Sequence, residues 1–267
     1  MLKFISFGSG SSGNCYYIQT ERGGLIIDAG IGLRSLRKFL FEYGIPIDEI
    51  HNILVTHDHA DHIKSVGAFS RKLNVPVYAT APVHAGIDGN YSVRCKVDRD
   101  RRKVIEPGRA FDLDGMHITP FHVPHDSSDN VGYRIDYDGI VFCLMTDVGH
   151  VTDEMKTMID AAHYLVIEAN YDDEMLEVGA YPRYLKDRIK SGNGHLSNAK
   201  CAQAIIDNAS EHLRHIWLCH LSEENNHPEL ARKSIGQSLR EGGIDVGNGV
   251  KFDVLKRRVP DGFYELV

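Results

Sequence analysis

The stretch Thr56-His57-Asp58-His59-Ala60-Asp61-His62 constrains this chain more than any other. Four metal-competent side chains fall within six positions, in the order His-x-His-x-Asp-His. Neutral imidazole and carboxylate are the ligands that zinc, manganese and iron favour. The apolar run Ile53-Leu54-Val55 ahead of the motif predicts a short buried strand, and Ile63 to Phe69 behind it has helical spacing. His57 and His59 are therefore expected in an extended segment leaving the strand, where alternate side chains point the same way. Asp61 and His62 are adjacent and open a helix, so they project at different angles and suit a second metal. The competing reading is a surface cluster of titratable residues. The spacing favours half of a dinuclear metal site.

A chain of 267 residues can bury a large core as one domain. Its 42% hydrophobic and 25% charged residues are ordinary for a globular protein. The net charge of −7 gives no support to general nucleic-acid binding, although local patches count for more than the total. With 15 histidines, several must do more than pack. The five cysteines (Cys15, Cys95, Cys143, Cys201 and Cys219) form no Cys-x-x-Cys pair, and their odd number argues against a disulfide framework. Buried reduced thiols in a cytoplasmic protein are expected. The first residues lack the charged lead and long apolar core of a secretion signal, and no run approaches a membrane span. A membrane is not an expected partner.

Leu2 to Phe7 and Cys15 to Ile18 predict two strands joined by the loop Gly8-Ser9-Gly10-Ser11-Ser12-Gly13-Asn14. That loop lacks the lysine and following helix of a phosphate-binding loop, so a flexible hairpin tip competes with a binding role. Leu25-Ile26-Ile27 predicts a buried strand ending in Asp28-Ala29-Gly30, where Asp28 either shapes a turn or orients a nearby metal-binding loop. Further strands are expected at 75–79, 116–123, 131–137, 140–145, 164–167, 215–219 and 251–255, and helices at 33–43, 153–162, 198–209 and 228–240. Asp138-Gly139 between two apolar runs is a strong hairpin signal. The basic run 94–103 is diluted by Asp98 and Asp100 and reads more readily as a solvated face than as a binding patch. Nothing marks a linker or repeat. The pattern predicts one domain over residues 1–267, with sheets inside and helices outside.

Three residues at strand ends complete a ligand set: His125 in Val123-Pro124-His125-Asp126, Asp147 after the strand at 140–145, and His220 after the strand containing Trp217. Each alone reads as an ordinary loop residue. Together with the 57–62 cluster and Asp28, they resemble the landmarks of metallo-β-lactamase-fold hydrolases. The strings Gly8 to Cys15, Ser191 to Asn198 and His220-Leu221-Ser222-Glu223-Glu224-Asn225-Asn226 narrow the resemblance to the YycJ/WalJ-type nucleases. The resemblance spans nearly the whole chain. It implies an α/β fold (α+β by some schemes), the four-layer αββα sandwich, with two half-domains meeting near 150.

The resemblance also implies roles. His57, His59 and His125 would hold one divalent ion, and Asp61, His62 and His220 the other, with Asp147 bridging. Asp28 would fix the loop carrying the cluster. Zinc or manganese would be expected, with iron or nickel also compatible. Two such ions roughly 3.5–4 Å apart share a hydroxide that attacks phosphorus. Asp61 and His195 are the expected catalytic residues, with His195 matching a histidine that protonates the leaving oxygen; the competing role for His195 is a helix cap. Ser222 and Asn225 would touch substrate phosphate. His122 is flanked by Phe121 and Val123 and is expected to be a buried structural histidine. Glu168 and Asn170 either support the site or shape a turn.

The implied activity is a metal-dependent phosphodiesterase acting on nucleic acid, a DNA 5′-3′ exonuclease. Residues 126–146 leave no room for the long arm of a typical tRNase Z, and residues 148–194 are too few for the large cap of the β-CASP nucleases. Basic residues at 94–103, 186–190 and 256–258 are candidate backbone contacts. The alternatives are a hydrolase of a thioester, lactone or small cyclic phosphodiester on the same centre, and a non-catalytic carrier on the same fold.

Overall fold

The computed structural model describes residues 1–267. In the first of two sheets, β1 (Leu2–Gly8), β2 (Cys15–Thr20), β3 (Gly23–Ile27), β4 (Ile50–Leu54), β5 (Val77–Ala79) and β6 (Arg102–Val104) lie side by side in chain order. The second sheet holds β7 (Phe111–Leu113), β8 (Met116–His122), β9 (Val131–Tyr137), β10 (Ile140–Met145), β11 (Tyr164–Glu168), β12 (His215–Cys219) and β13 (Lys251–Val254), again in chain order. A last strand, β14 (Tyr264–Leu266), returns to pair antiparallel with β1. Each sheet is antiparallel on one side and parallel on the other, β3–β6 and β10–β13 being the parallel halves.

Both faces of each sheet are covered, which is why the strands read as continuous apolar runs rather than strict alternations. In β10, Phe142 and Leu144 face the other sheet, while Cys143 and Met145 pack under the outer helices. In β2, Tyr16 and Ile18 face inward, and Cys15 and Tyr17 outward. At the centre of the sandwich Phe4 meets Phe142 and Trp217 with ring centroids 5.2 and 5.0 Å apart. Burial stabilises each such ring by about 1.5–3 kcal/mol. The four layers expected from the sequence are present: helices, sheet, sheet, helices.

Several local expectations needed correction. The chain changes sheet between Val104 and Phe111, not near 150. Position 150 instead marks where the meander β7–β10 gives way to alternating helices and strands within the second sheet. The helix expected from Ile63 to Phe69 is two helices, Ala60–Ile63 and Val66–Leu73. Between them the Ser65 amide is drawn to the Ala29 carbonyl at 3.0 Å, tying the motif to the Asp28 turn. The helices Ala81–Gly89, Asp173–Val178 and Arg183–Lys190 were not expected. The first contains Pro82, Gly86 and Gly89, which mask a helical pattern. The hairpin at Asp138-Gly139 forms with φ of 49° and 75°, the mirror-image turn that such a pair favours.

Candidate metal centre

Strand ends of both sheets deliver the site to one rim of the sandwich. β3 ends at Asp28, β4 leads to His57, β8 to His125, β10 to Asp147 and β12 to His220. Asp28, Asp147 and His220 have φ of 63°, 56° and 53°, a left-handed backbone that costs a non-glycine residue about 1–2 kcal/mol. Each turns sharply out of its strand, so the side chain stands at the sheet's end. Polar satisfaction around them offsets that cost. Asp28, fully buried, accepts the Thr56 amide at 2.8 Å and the His62 Nδ1 proton at 2.7 Å.

Four nitrogen and oxygen clusters converge here: His57/His59/His125, Asp61/His62/His220, His57/His62/Asp147, and Asp147/Glu168/His195/His220, with ligand atoms in each within 4.8 Å of one another. Asp147 and three histidines, His57, His62 and His220, recur between them, so the clusters form one centre with two lobes. The ring orientations are decided by acceptors behind each imidazole. His62 donates Nδ1–H to Asp28, His125 donates Nδ1–H to the Gly194 carbonyl at 2.9 Å, and His220 donates Nδ1–H to Glu168 at 3.0 Å. Each therefore presents its Nε2 lone pair inward. His57 bonds Thr56 Oγ1 through Nδ1 at 3.0 Å, while its Nε2 is fully buried without any partner. His59 faces His125 Nε2 with Nδ1 at 3.2 Å. An orphaned buried lone pair is costly unless something electrophilic meets it.

The electrostatics agree. Burial holds the His57 and His125 imidazoles below the ordinary histidine range. Burial also opposes charge on His62, but Asp28, Asp147 and Asp61 outweigh it and raise that group to about 10. Asp147 is held well below the carboxylate range: burial opposes this, and His220, His62 and His57 overcome it. A pocket so rich in carboxylate and imidazole demands positive charge, and divalent cations displace protons from such nitrogens. The residues fit a metal.

His195 belongs to the cluster with Asp147, Glu168 and His220 and lies outside the lobes His57/His59/His125 and Asp61/His62/His220. Its Nδ1 donates to Glu168 at 2.9 Å and its side chain is 20% exposed. Burial opposes its protonation, but Glu168 prevails and raises it above the usual histidine range. A capping role is excluded, because Ser197 caps the following helix Asn198–Asn208 by accepting from the Lys200 amide.

Sequence reasoning left Glu168 undecided and passed over Asn14. Glu168 is fully buried and accepts from His195, His220 and the amides of Val148 and Leu196. An acid closing an apolar strand is the signal already used for Asp28 and Asp147, and it applied here too. Asn14 is also fully buried; its amide nitrogen lies 2.9 Å from His62 Nε2 and 3.3 Å from Asp61 Oδ2. Gly10 holds it by a 2.8 Å amide bond to Asn14 Oδ1, so the Gly/Ser loop is a built part of the site. No periodicity marks such a residue. His122 is not buried, as expected, but 63% exposed: Phe121 and Val123 point inward, so alternation turns it out. Asn225 is 1% exposed and donates Nδ2–H to Ser222 Oγ at 3.5 Å, which leaves Ser222 as the accessible member of that pair.

The basic segments are largely engaged. Lys96 caps the Ile87 and Asn90 carbonyls, Arg102 pairs with Asp88, Arg188 with Asp126, and Arg258 with Glu223. Arg257 donates to the Leu221, Ser222 and Asn226 carbonyls, bracing the loop after His220.

No helix is long and apolar enough to cross a membrane. A family model described as a β-lactamase superfamily domain matches residues 25–220. The chain is 34% identical to exodeoxyribonuclease YycJ of Bacillus anthracis, covering 97% of each. It is 36% identical to exodeoxyribonuclease WalJ of Streptococcus pneumoniae, covering 94% of this chain and 93% of that one. It is 28% identical to an atrochrysone carboxyl ACP thioesterase of Passalora fulva over 62% of this chain and 46% of that protein. Among solved structures, the metallo-β-lactamase fold protein YhfI of Bacillus subtilis superposes with a TM-score of 0.71 at 16% identity, covering 97% and 98% of the two chains. Full-length likeness at this level, on this fold, places the chain in the metallo-β-lactamase-fold family, among the relatives of YycJ and WalJ.

Proposed function

We propose that this protein is a metal-dependent phosphodiesterase that removes nucleotides from DNA ends in the 5′-3′ direction. One observation carries the reading: the Asp147 carboxylate stands between the two donor lobes, Oδ1 3.7 Å from His125 Nε2 and Oδ2 3.2 Å from His62 Nε2, beside His195, whose Nδ1 is held by buried Glu168. On this reading His57, His59 and His125 hold one divalent ion, Asp61, His62 and His220 the second, and Asp147 both. Zinc or manganese suits this donor set. Divalent ions in such a centre acidify water and neutralise phosphate charge. Glu168 favours the protonated form of His195 and fixes its ring, which suits His195 to deliver a proton from Nε2 to the oxygen that leaves phosphorus. Asp28 and Asn14 hold the 57–62 segment in place, and Ser222 offers a hydroxyl to substrate phosphate. The full-length likeness to two exodeoxyribonucleases supports DNA as the substrate. We place the protein in the cytoplasm, since all five cysteines are free and four are buried.

The test is digestion of 5′- and 3′-labelled single- and double-stranded DNA and RNA with manganese and with zinc. His57→Ala should abolish cleavage, and His195→Ala should reduce it by about 10²–10⁴-fold. Release of mononucleotides from the 5′ end of DNA is the expected product pattern; purified protein that binds metal and cuts no nucleic acid overturns the reading. Hydrolysis of a thioester is the second reading, favoured by the partial likeness to a thioesterase. A thiolate leaves without a proton, so His195→Ala would then leave the rate nearly intact.

A further inference from the structure

Two tyrosines near the centre have no structural employment. Tyr91 is 95% exposed and Tyr184 is 75% exposed. Both can be placed relative to the metal centre through their neighbours.

Tyr91 follows Asn90, whose side-chain amide donates to the carbonyl of Asp58, the residue between His57 and His59, at 3.0 Å. The turn is held from below: Lys96 Nζ donates to the Asn90 carbonyl at 2.7 Å, and Asn90 Oδ1 accepts the Ser92 amide at 2.9 Å. Asp58 in turn accepts the Ser128 amide and hydroxyl at 3.0 and 2.6 Å. Tyr184 lies one turn before Arg188 on the helix Arg183–Lys190, and residues four apart share a face. Arg188 donates to Asp126 at 2.5 Å, and the other oxygen of Asp126 stands 3.9 Å from His59 Nε2 and 3.5 Å from His125 Nε2. The loop 126–128 therefore ties together the two segments that carry the tyrosines, bonding Asp58 through Ser128 and Arg188 through Asp126. His59, its side chain 32% exposed, makes that edge the open rim of the centre. Arg94, three residues beyond Tyr91, is exposed, in contrast to the engaged Lys96 and Arg102.

A single exposed aromatic is ordinary on a protein surface, but two on segments tied to the loop beside His59 and His125 offer large flat faces to whatever crosses that rim. Nucleobases are flat, apolar on their faces and indifferent to sequence in stacking. We infer that Tyr91 and Tyr184 are stacking platforms for unpaired bases of the strand that crosses the His59 rim, with Arg94 meeting its backbone. This rests on the nucleic-acid reading above and adds to it a substrate form: an end with several unpaired nucleotides next to the scissile bond. A blunt duplex, with its bases already stacked on one another, cannot use the tyrosines without fraying.

The test is steady-state cleavage of single-stranded and blunt double-stranded DNA by the metal-loaded parent, Tyr91→Ala, Tyr184→Ala, Tyr91→Phe and Tyr184→Phe. Each alanine change should raise KM for single-stranded DNA about tenfold with kcat unchanged, the magnitude of one lost base stack. The phenylalanine changes should restore KM. Hydrolysis of bis(p-nitrophenyl) phosphate, which has no base, should be the same in all five proteins. Abasic sites near the cleaved end should raise the parent's KM and erase the difference between parent and variants. Unchanged KM in both alanine variants, with the parent still cutting DNA, overturns the stacking role and leaves the exonuclease reading standing. A parent that hydrolyses the small diester but no nucleic acid overturns both.

Discussion

Replacing Glu168 with glutamine keeps the size of the side chain and removes its charge. Oε1 takes the Nδ1 protons of His195 and His220 at 2.9 and 3.0 Å, and Oε2 takes the Val148 and Leu196 amides at 2.8 and 3.0 Å. All four partners are donors. An amide has one accepting oxygen, so whichever way glutamine is placed, two donors face its own N–H groups. Hydrogen bonds to a charged group contribute about 1.5–3 kcal/mol each, and each buried donor left unpaired costs about 1–3 kcal/mol. These terms overlap, and the cost of breaking a buried charged network, about 3–5 kcal/mol, bounds the loss. Urea unfolding of the metal-free protein should register it. A second readout is pH. Glu168 raises His195, so the ion pair's contribution to stability is full below about pH 6.5 and is lost as pH rises through the raised folded value. Without the carboxylate, the alkaline limb of kcat that reports His195 protonation should move to lower pH. Metal affinity should fall about 10–100-fold, because the group behind His220 loses its negative charge in either placement. A glutamine variant within 1 kcal/mol of the parent, with the same alkaline limb, would refute the reasoning about Glu168.

Asn14→Ala should weaken binding of one of two ions by about 10–100-fold in calorimetric titration and spare the other, because Asn14 faces only Asp61 and His62. Equal weakening of both would show a general collapse of the loop. Gly30→Ala should destabilise the fold and lower metal stoichiometry together, since an added Cβ overlaps the Asp61 carbonyl and the Asn14 amide. An unfolding midpoint unchanged from the parent would contradict that packing. Chelating the ions should lower the melting temperature. Ions at a hundred times their Kd stabilise by about 2.7 kcal/mol, or roughly 5–10 °C for a chain of this size. Coincident melting curves with manganese and with a chelator would argue against a metal centre.

The fold was legible where two-sided burial writes long apolar runs, as in β10, β11 and β12, and where a turn needs special residues, as at Asp138-Gly139. The ligands were legible because metal chemistry restricts residue types and strand ends restrict their places. Supporting residues were harder. Asn14 serves the centre through one amide group in a loop whose composition says only that it bends. Glu168 stayed undecided between a supporting role and a turn until its four donors were brought in from three separate segments. The helix Arg183–Lys190 was missed because its register follows a satellite core of Tyr171, Leu176 and Ile189, too small to impose a strong pattern. The basic segments spend most of their charge on the protein's own carbonyls and acids, which agrees with reading 94–103 as a surface face rather than a binding patch.

The left-handed backbone at Asp28, Asp147 and His220 has a consequence for how this scaffold tolerates change. Glycine adopts that conformation without strain, so the three positions where chemistry is anchored are also where glycine would relax the chain. Each such exchange would relieve about 1–2 kcal/mol of conformational cost against the hydrogen bonds lost. The architecture can therefore outlive its reaction. Lineages of this fold that have given up hydrolysis should be recognisable by glycine or asparagine at these strand ends while the sandwich core stays intact.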